Sequence, residues 1–365
     1  MYYAFLGHQP DLSRLELETL VGETTRITPE VVSIGEEGHN LMERADDLGG
    51  TTKIARFRLK VGEDKLLENL QTLIEESSAK NVAVSNYSSF KLDPSSLYKM
   101  KEGVLTVRKV RFVSFDDFGH ELLMLKKKHV AEFNIIPLED EYILAETVWI
   151  YDGLSFAARD RKKPYQDIKR GMLPPKIARI MVNLGTMGEK GKTIYDPFCG
   201  TGTVLAEAMM VACRTLGSDL DSFAVKGTLD NLEWLKTRYN LGTEYYASVA
   251  DATHPVLTEL VDAIVTEPLM GPLIDSRKVV SPQKVANIAK GLDKLYRGSL
   301  KAWTKILKKG GRVVMIIPEF RLKDRTIKTT LVDTMRSLGY NHILSVPYHK
   351  PNALVVRNIT ILERA

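Results

Sequence analysis

The sequence predicts an α/β protein: a doubly wound, mostly parallel sheet in the C-terminal half, preceded by smaller α+β modules. Three observations predict it. From about position 190 onward, strand-like apolar runs alternate with helix-like runs, the pattern that lays helices over both faces of a parallel sheet. The last two runs, HILSVPY and VVRNITIL, succeed each other with no helix between them and read as a closing antiparallel hairpin. The first 150 residues mix short alternating strands with short amphipathic helices, which fits compact α+β units.

Residues 1–78 form the first module. YYAFLG alternates as a strand, and LSRLELETLVG follows Pro10-Asp11 as an amphipathic helix with Asp11 as its expected N-cap. VVSIG is a strand, LMERADDLGG a helix closed by glycine, KIARFRLKV a strand, and KLLENLQTLIEESS a helix with apolar spacing of three and four. Residues 79–150 form a second, reduced module: NVAVSNY and RKVRFVSF as strands, ELLMLKKKHVAEFNIIPL as a short helix and a strand, and EYILAETVWIY closing it. Its run Lys126-Lys127-Lys128 reads as a solvated helix face.

Residues 151–172 are expected to be a basic linker. The stretch 159–179 holds eight basic residues against two acids, with three prolines and one glycine, which leaves little room for regular structure. It reads either as a solvated hinge or as a phosphate-contacting strip of Arg159, Arg161, Lys162, Lys163, Lys169 and Arg170. The last domain, 173–365, opens with the helix KIARIMVNLG just after Pro174-Pro175. TIYDPF, TLGSDL, YYASVAD, AIVTEP and RVVMIIP are its strands; VLAEAMMVAC, AVKGTLDNLEWLKTRY, GLDKLYRGSLKAWTKIL and KTTLVDTMRSLGY are its helices.

At 365 residues the chain is too long for one ordinary core, and 44% apolar with 27% charged residues is a globular profile. Lys plus Arg exceed Asp plus Glu by only 51 to 46, so bulk charge does not select a partner. The two cysteines, Cys199 and Cys213, form no CxxC pair; a disulfide framework or structural zinc is not expected, and Cys199 reads as a small packed residue. No run approaches the roughly 20 apolar residues of a membrane span. The N-terminus lacks a basic start and cleavage site, so a soluble cytoplasmic protein is expected.

YDPFCGTGT carries the most information. A strand ends at Asp196, Gly200 and Gly202 let backbone approach a ligand, and a helix starts near Thr203. A dinucleotide fingerprint would need a third glycine where Leu205 stands, and a phosphate gains nothing from Asp196. A cationic ligand does. S-adenosylmethionine carries a sulfonium and an ammonium and no phosphate. Asp219, 23 positions after Asp196, ends the second strand where a carboxylate can take ribose hydroxyls, and Asp251 ends the third, where it can accept from an adenine amine.

Together YDPFCGTGT, the upstream GMLPPKIARIMVNLG and the preceding AARDRKKPYQD resemble the THUMP-domain RNA methyltransferases, closest to the tRNA guanine-10 N2-methyltransferase branch. LGGTTKIAR and TVRKVRFVS extend the likeness to that family's N-terminal ferredoxin-like and THUMP regions. The resemblance implies a Rossmann-fold methyltransferase domain behind ferredoxin-like and THUMP-like modules. It implies that Pro174 and Pro175 enclose the methionine end of the cofactor, that Asp196 and Gly200 line its amino-acid part, and that Phe198, Gly202 and Thr203 also belong to the cofactor site. Asp219 would take the ribose, Asp251 with Ala252 the adenine. The expected partner is tRNA bound by a monomer, with room for a small accessory protein subunit and with no metal or membrane.

In the family, an Asp or Asn, two prolines and an aromatic follow the fourth strand. Here AIVTEPLMG places Glu267, Pro268, Leu269 and Met270 there. A guanine N2 amine is a poor nucleophile because its lone pair is delocalised into the ring. An acceptor side chain and the Pro268 carbonyl can hold its N–H groups and aim the lone pair, an orientation effect on the order of several kcal/mol. Glu267 keeps the acceptor with one more methylene and also faces the cofactor; Met270 replaces stacking by a sulfur contact of about 0.3–1.5 kcal/mol. Two other readings stay open: a catalytically impaired cofactor- and RNA-binding protein, and a DNA amino-methyltransferase. Arg277, His349 and Arg357 receive nothing firmer than a phosphate or RNA contact that the sequence does not require.

Overall fold

The computed structural model describes all residues except 36–39, 89–92, 114–124, 126–128, 168–170, 273–280 and 349–352. The lysine run 126–128, Lys169, Arg170, Arg277 and His349 therefore lie outside the described residues. The chain divides into two compact units, Met1–Ser155 and Phe156–Ala365.

The first unit contains β1 (Tyr2–Leu6), α1 (Pro10–Val21), β2 (Thr24–Arg26), β3 (Val31–Ile34), α2 (Leu41–Arg44), β4 (Thr51–Gly62), α3 (Leu66–Glu76), β5 (Asn81–Asn86), α4 (Pro94–Val107), β6 (Arg111–Phe112), β7 (Val130–Leu138) and β8 (Glu141–Ile150). Its strands make one sheet in the order β2-β3-β1-β4-β8-β7-β5-β6. The stretches 1–78 and 79–150 thus share a sheet, joined where β4 runs antiparallel to β8 from Lys53↔Ile150 to Gly62↔Glu141. The sheet's interior carries a polar knot: Lys53 Nζ reaches Glu132 Oε1 at 2.5 Å, with Ser85 and Thr147 hydroxyls donating to the same carboxylate, all but out of solvent. Burial so complete is tolerable because charge and hydrogen bonds are both matched.

Local chemistry explains the helices. In α3 the residues Leu66, Leu70, Leu73 and Ile74 fall on one face and are buried. In α1 the cap is Gln9, with Pro10 at the first turn; Asp11 does not cap but accepts from Arg26 Nη2 at 2.6 Å. Helix α4 was missed in the sequence although its start is well marked. Asp93 accepts from the Ser96 amide at 2.9 Å and Pro94 occupies the position where a missing N–H costs nothing.

The second unit holds α5 (Gly153–Arg161), whose first residues lie at the unit boundary, then α6 (Pro175–Thr186), β9 (Thr193–Asp196), α7 (Thr203–Met210), β10 (Arg214–Asp219), α8 (Ser222–Tyr239), β11 (Tyr245–Val249), β12 (Val261–Thr266), α9 (Pro282–Trp303), β13 (Leu307–Arg321), β14 (Thr326–Lys328), β15 (Tyr340–Tyr348) and β16 (Val355–Arg364). The sheet runs β11-β10-β9-β12-β13-β16-β15, with β14 paired to β13. Strands β9 to β13 are parallel; β16 is antiparallel to both β13 and β15, the closing hairpin expected from the sequence. Chain order reverses between β9 and β12, so the crevice of a doubly wound sheet opens there. Helix α9 buries Val285, Ala289, Leu292, Tyr296, Leu300 and Trp303 at spacings of three and four.

Two expectations change. The basic linker contains a helix, α5, because Arg159 is pulled inward by a buried acid rather than left to solvent. KTTLVDTMRSLGY is not one helix: Thr326–Lys328 pairs as β14, and two 3-10 turns, Val332–Thr334 and Arg336–Leu338, bury Leu331 and Met335 before Gly339 turns the chain with φ +88°. The β-branched run Thr-Ile-Lys-Thr-Thr disfavours helix and edges the sheet instead. Among the described residues, no helix is long and apolar enough to cross a membrane.

Candidate active site

The parallel strands bring four acids to one edge of the sheet. Asp196 is the last residue of β9, Asp219 the last of β10, Asp251 follows β11, and Glu267 follows β12. Because the strands stand in the order β11-β10-β9-β12, the acids stand in the order Asp251, Asp219, Asp196, Glu267. The sequence spacing alone could place them only at strand ends; the sheet order makes them neighbours.

Asp196 is buried. Its Oδ1 accepts from the Phe198 amide at 3.1 Å and from Thr266 Oγ1 at 2.6 Å, which ties the ends of β9 and β12 together across the switch point. Burial pushes its carboxyl up to about 7 against the pull of those two hydrogen bonds, with the negative charges of Asp219 and Glu267 adding to the rise. No cation among the described residues pairs with it. A buried carboxylate in that condition gains from an incoming positive charge.

The turn after β9 is shaped by its glycines. Gly200 and Gly202 have φ of +53° and +77°, in the left-handed region, and Gly202 caps α7. A Cβ on Gly200 would meet nothing nearer than the Phe198 carbonyl at 3.9 Å, so the space in front of the turn is open to a ligand. The Gly200 amide donates to Asp219 Oδ2 at 3.0 Å and its carbonyl accepts from Thr228 Oγ1 at 2.8 Å. Asp219 Oδ1 accepts from the Asp221 amide. Asp251 accepts from both the amide and the hydroxyl of Thr253 at 2.8 Å, which holds its carboxyl below the usual range. Ala252 is fixed beside it by Trp303 Nε1 donating to its carbonyl at 2.9 Å.

Behind the turn lies a buried ion cluster that the sequence did not disclose. Glu207 of α7 takes Arg159 of α5 at 2.5 Å and Arg179 of α6 at 2.7 Å, all three side chains essentially without solvent. Lys163 is buried too: its Nζ donates to Thr201 Oγ1 at 3.1 Å and Thr203 Oγ1 at 2.9 Å, and burial brings its pKa down to about 8. Arg159 and Lys163 therefore cannot form part of a phosphate-contacting surface strip. They brace the Gly-Thr-Gly turn, and Pro175 lines the small cavity behind it with Glu207 and Trp234. Pro174, by contrast, is exposed and starts α6, its carbonyl accepting the Ile177 and Ala178 amides. Arg161 and Lys162 remain on the surface.

In the stretch after β12, Glu267 is mostly buried and its Oε1 accepts from Arg357 Nε of β16 at 3.1 Å. Burial raises its carboxyl above the usual range, and Arg357 opposes that rise. Pro268 is buried, Met270 half-buried and Leu269 exposed; the Leu269 carbonyl accepts from Tyr296 OH at 2.7 Å. Gly271, with φ +93°, turns the chain where a Cβ would strike Ile288 at 2.8 Å. Tyr348, opposite Arg357 in the hairpin register, is close enough for both the Arg357 and Glu267 charges to act on its phenol. Thr266 is a residue that sequence reasoning missed, and Arg357, read there as no more than an RNA contact, is the ion-pair partner of Glu267. The available signals were an arginine inside the alternating VVRNITIL and a hydroxyl immediately before Glu267.

Residues 164–338 match the RMKL-like methyltransferase domain family. The match lies within the second unit. Two curated relatives are tRNA (guanine(10)-N2)-dimethyltransferases. That of Methanothermobacter thermautotrophicus is 34% identical over 50% of this chain and 49% of its own length. That of Methanocaldococcus jannaschii is 28% identical over 84% of this chain and 86% of its own. The chain thus spans about half of the first relative and most of the second. The crystal structure of TrmN from Thermus thermophilus superposes with a TM-score of 0.57 at 18% identity, covering 100% of this chain and 99% of that one, a likeness of fold. The donor anticipated from the strand-end acids is S-adenosylmethionine. Asp196 without a counter-charge and the open face of Gly200 fit that donor.

Proposed function

We propose that the protein transfers a methyl group from S-adenosylmethionine to the exocyclic N2 amine of a guanosine in tRNA, with guanosine 10 of the relatives' substrate as the candidate position. The observation that carries the reading is the adjacency of Asp196 and Glu267 across the switch point, linked through Thr266. It sets an amine-orienting acceptor next to the carboxylate that attracts a cationic donor.

When bound, S-adenosylmethionine supplies a methyl carbon made electrophilic by its positive sulfur. Asp196 and the Gly200–Gly202 turn hold the amino-acid end, Asp219 the ribose, and Asp251 with Ala252 the adenine. The target base leaves its stack to reach the site, because a stacked amine cannot come within bonding distance of the donor. Glu267 and the Pro268 carbonyl accept the amine's N–H groups and turn its lone pair outward. The Glu267 carboxylate, raised by burial, would be placed to receive the proton that the amine gives up on methylation. Met270 packs against the base in place of an aromatic.

Residues 1–78 and 79–150 serve in this reading as ferredoxin-like and THUMP-like modules that grip the tRNA. Arg161 and Lys162 contact its backbone phosphates, which makes binding salt-sensitive. The protein acts in the cytoplasm as a monomer, and a mass measurement in solution with cell extract fractions tests for a small accessory subunit. Incubation with methyl-labelled donor and either total tRNA or duplex DNA tests the function. Label in tRNA supports the proposal; label in DNA alone makes the protein a DNA amino-methyltransferase, and label in neither makes it a binding protein.

A further inference from the structure

Orienting an amine requires one acceptor, yet the site presents an acceptor fused to a cation. Glu267 Oε1 is held by Arg357 Nε at 3.1 Å, and Glu267 Oε2 accepts nothing from the described residues. Arg357 is fixed on both sides by the backbone ladder, opposite Pro318 of β13 and Tyr348 of β15. Its side chain is 38% exposed, and its terminal nitrogens donate to none of the described residues. A guanidinium carries Nε–H and one Nη–H side by side and parallel. The pair therefore offers two acceptors, Oε2 and the remaining lone pair of Oε1, beside the donors of the guanidinium's terminal nitrogens.

Guanine's Watson–Crick edge is the complement: N2–H donor, N1–H donor, O6 acceptor. Adenine offers a donor at N6 and an acceptor at N1 and lacks the N2 amine, so it meets this edge with mismatched groups. We propose that Glu267 and Arg357 together read the Watson–Crick edge of the target guanine, Glu267 taking N2–H and N1–H while Arg357 donates to O6. The inference rests on the guanine N2-methylation reading and adds how the base is chosen. It also accounts for the longer Glu267, which reaches two edge positions while still leaning on an arginine from another strand.

The test uses the full-length protein and tRNA ligated to carry either guanosine or the 2,6-diaminopurine nucleoside at position 10. The analogue keeps the N2 amine but replaces N1–H by a lone pair and O6 by an amine. The readout is the ratio of kcat/KM for the two substrates. Wild type should prefer guanosine by at least about a hundredfold, and Arg357→Gln should shrink that preference at least about fivefold, the low end for one well-formed base contact. Arg357→Lys keeps the charge but loses the fork and should fall between. A merely structural arginine would lower both substrates in parallel; an unchanged ratio in both variants, with donor affinity retained, overturns the inference. If wild type binds the donor but methylates neither substrate, the guanine N2 reading itself fails and takes the inference with it.

Discussion

Replacing Asp196 by Asn should make the protein without cofactor more stable and the cofactor bind more weakly, with the two effects separable by pH. Asparagine keeps the shape and an acceptor for the Phe198 amide and Thr266 hydroxyl while removing a buried charge. The Asp196 carboxyl stands at about 7 in the folded chain against 3.8 ordinarily. That is a rise of about 3 pH units, or about 4 kcal/mol against the ionised form. Because the folded value lies above the unfolded one, stability from the protonated form is intact below about pH 4. It is lost as pH rises to about 7 and stays constant above that. The Asn variant, which does not titrate, should gain about 3 kcal/mol on wild type between about pH 5 and about pH 8. Urea unfolding followed by Trp234 and Trp303, in a Trp149→Phe background, reads the second unit alone. Donor affinity should fall at least about tenfold, or about 1.4 kcal/mol. A stability gap that ignores pH, together with unchanged donor affinity, would refute the assignment of Asp196 as an uncompensated seat for a cation.

Three further outcomes follow from the same geometry. Glu267→Ala should leave donor affinity within about twofold in equilibrium titration but lower single-turnover methylation at least about a hundredfold, since it removes orientation and not the cofactor seat. Glu207→Gln leaves Arg159 and Arg179 buried around a neutral amide, and should cost about 3–5 kcal/mol in denaturant unfolding of the second unit. The double variant Arg161→Gln, Lys162→Gln should weaken tRNA binding and flatten its log–log salt dependence by about 1 to 2 in slope, leaving donor affinity unchanged.

What the sequence disclosed follows from what is local. Strand-end acids, glycines with left-handed backbone and the hairpin closing the sheet all write themselves into short windows, and Asp196, Gly200, Gly202, Asp219 and Asp251 were found that way. The relation of Glu267 to Arg357 spans 90 positions and arises only because β16 inserts between β13 and β15. The basic stretch misled for a related reason. Composition counts charges but does not reveal that Glu207, 48 residues further on, is buried and draws Arg159 inward. Helix α4 was legible in Asp93-Pro94, although only Met100 and Val104 of its residues are buried.

The central claim is that three carboxylates at neighbouring strand ends hold a sulfonium donor beside Glu267. A crystal structure with S-adenosylhomocysteine tests it most directly. The ribose hydroxyls should lie about 3 Å from Asp219, with the sulfur on the side of the turn that faces Glu267. Adenosylhomocysteine seated elsewhere, or a sulfur turned away from Glu267, would contradict the account.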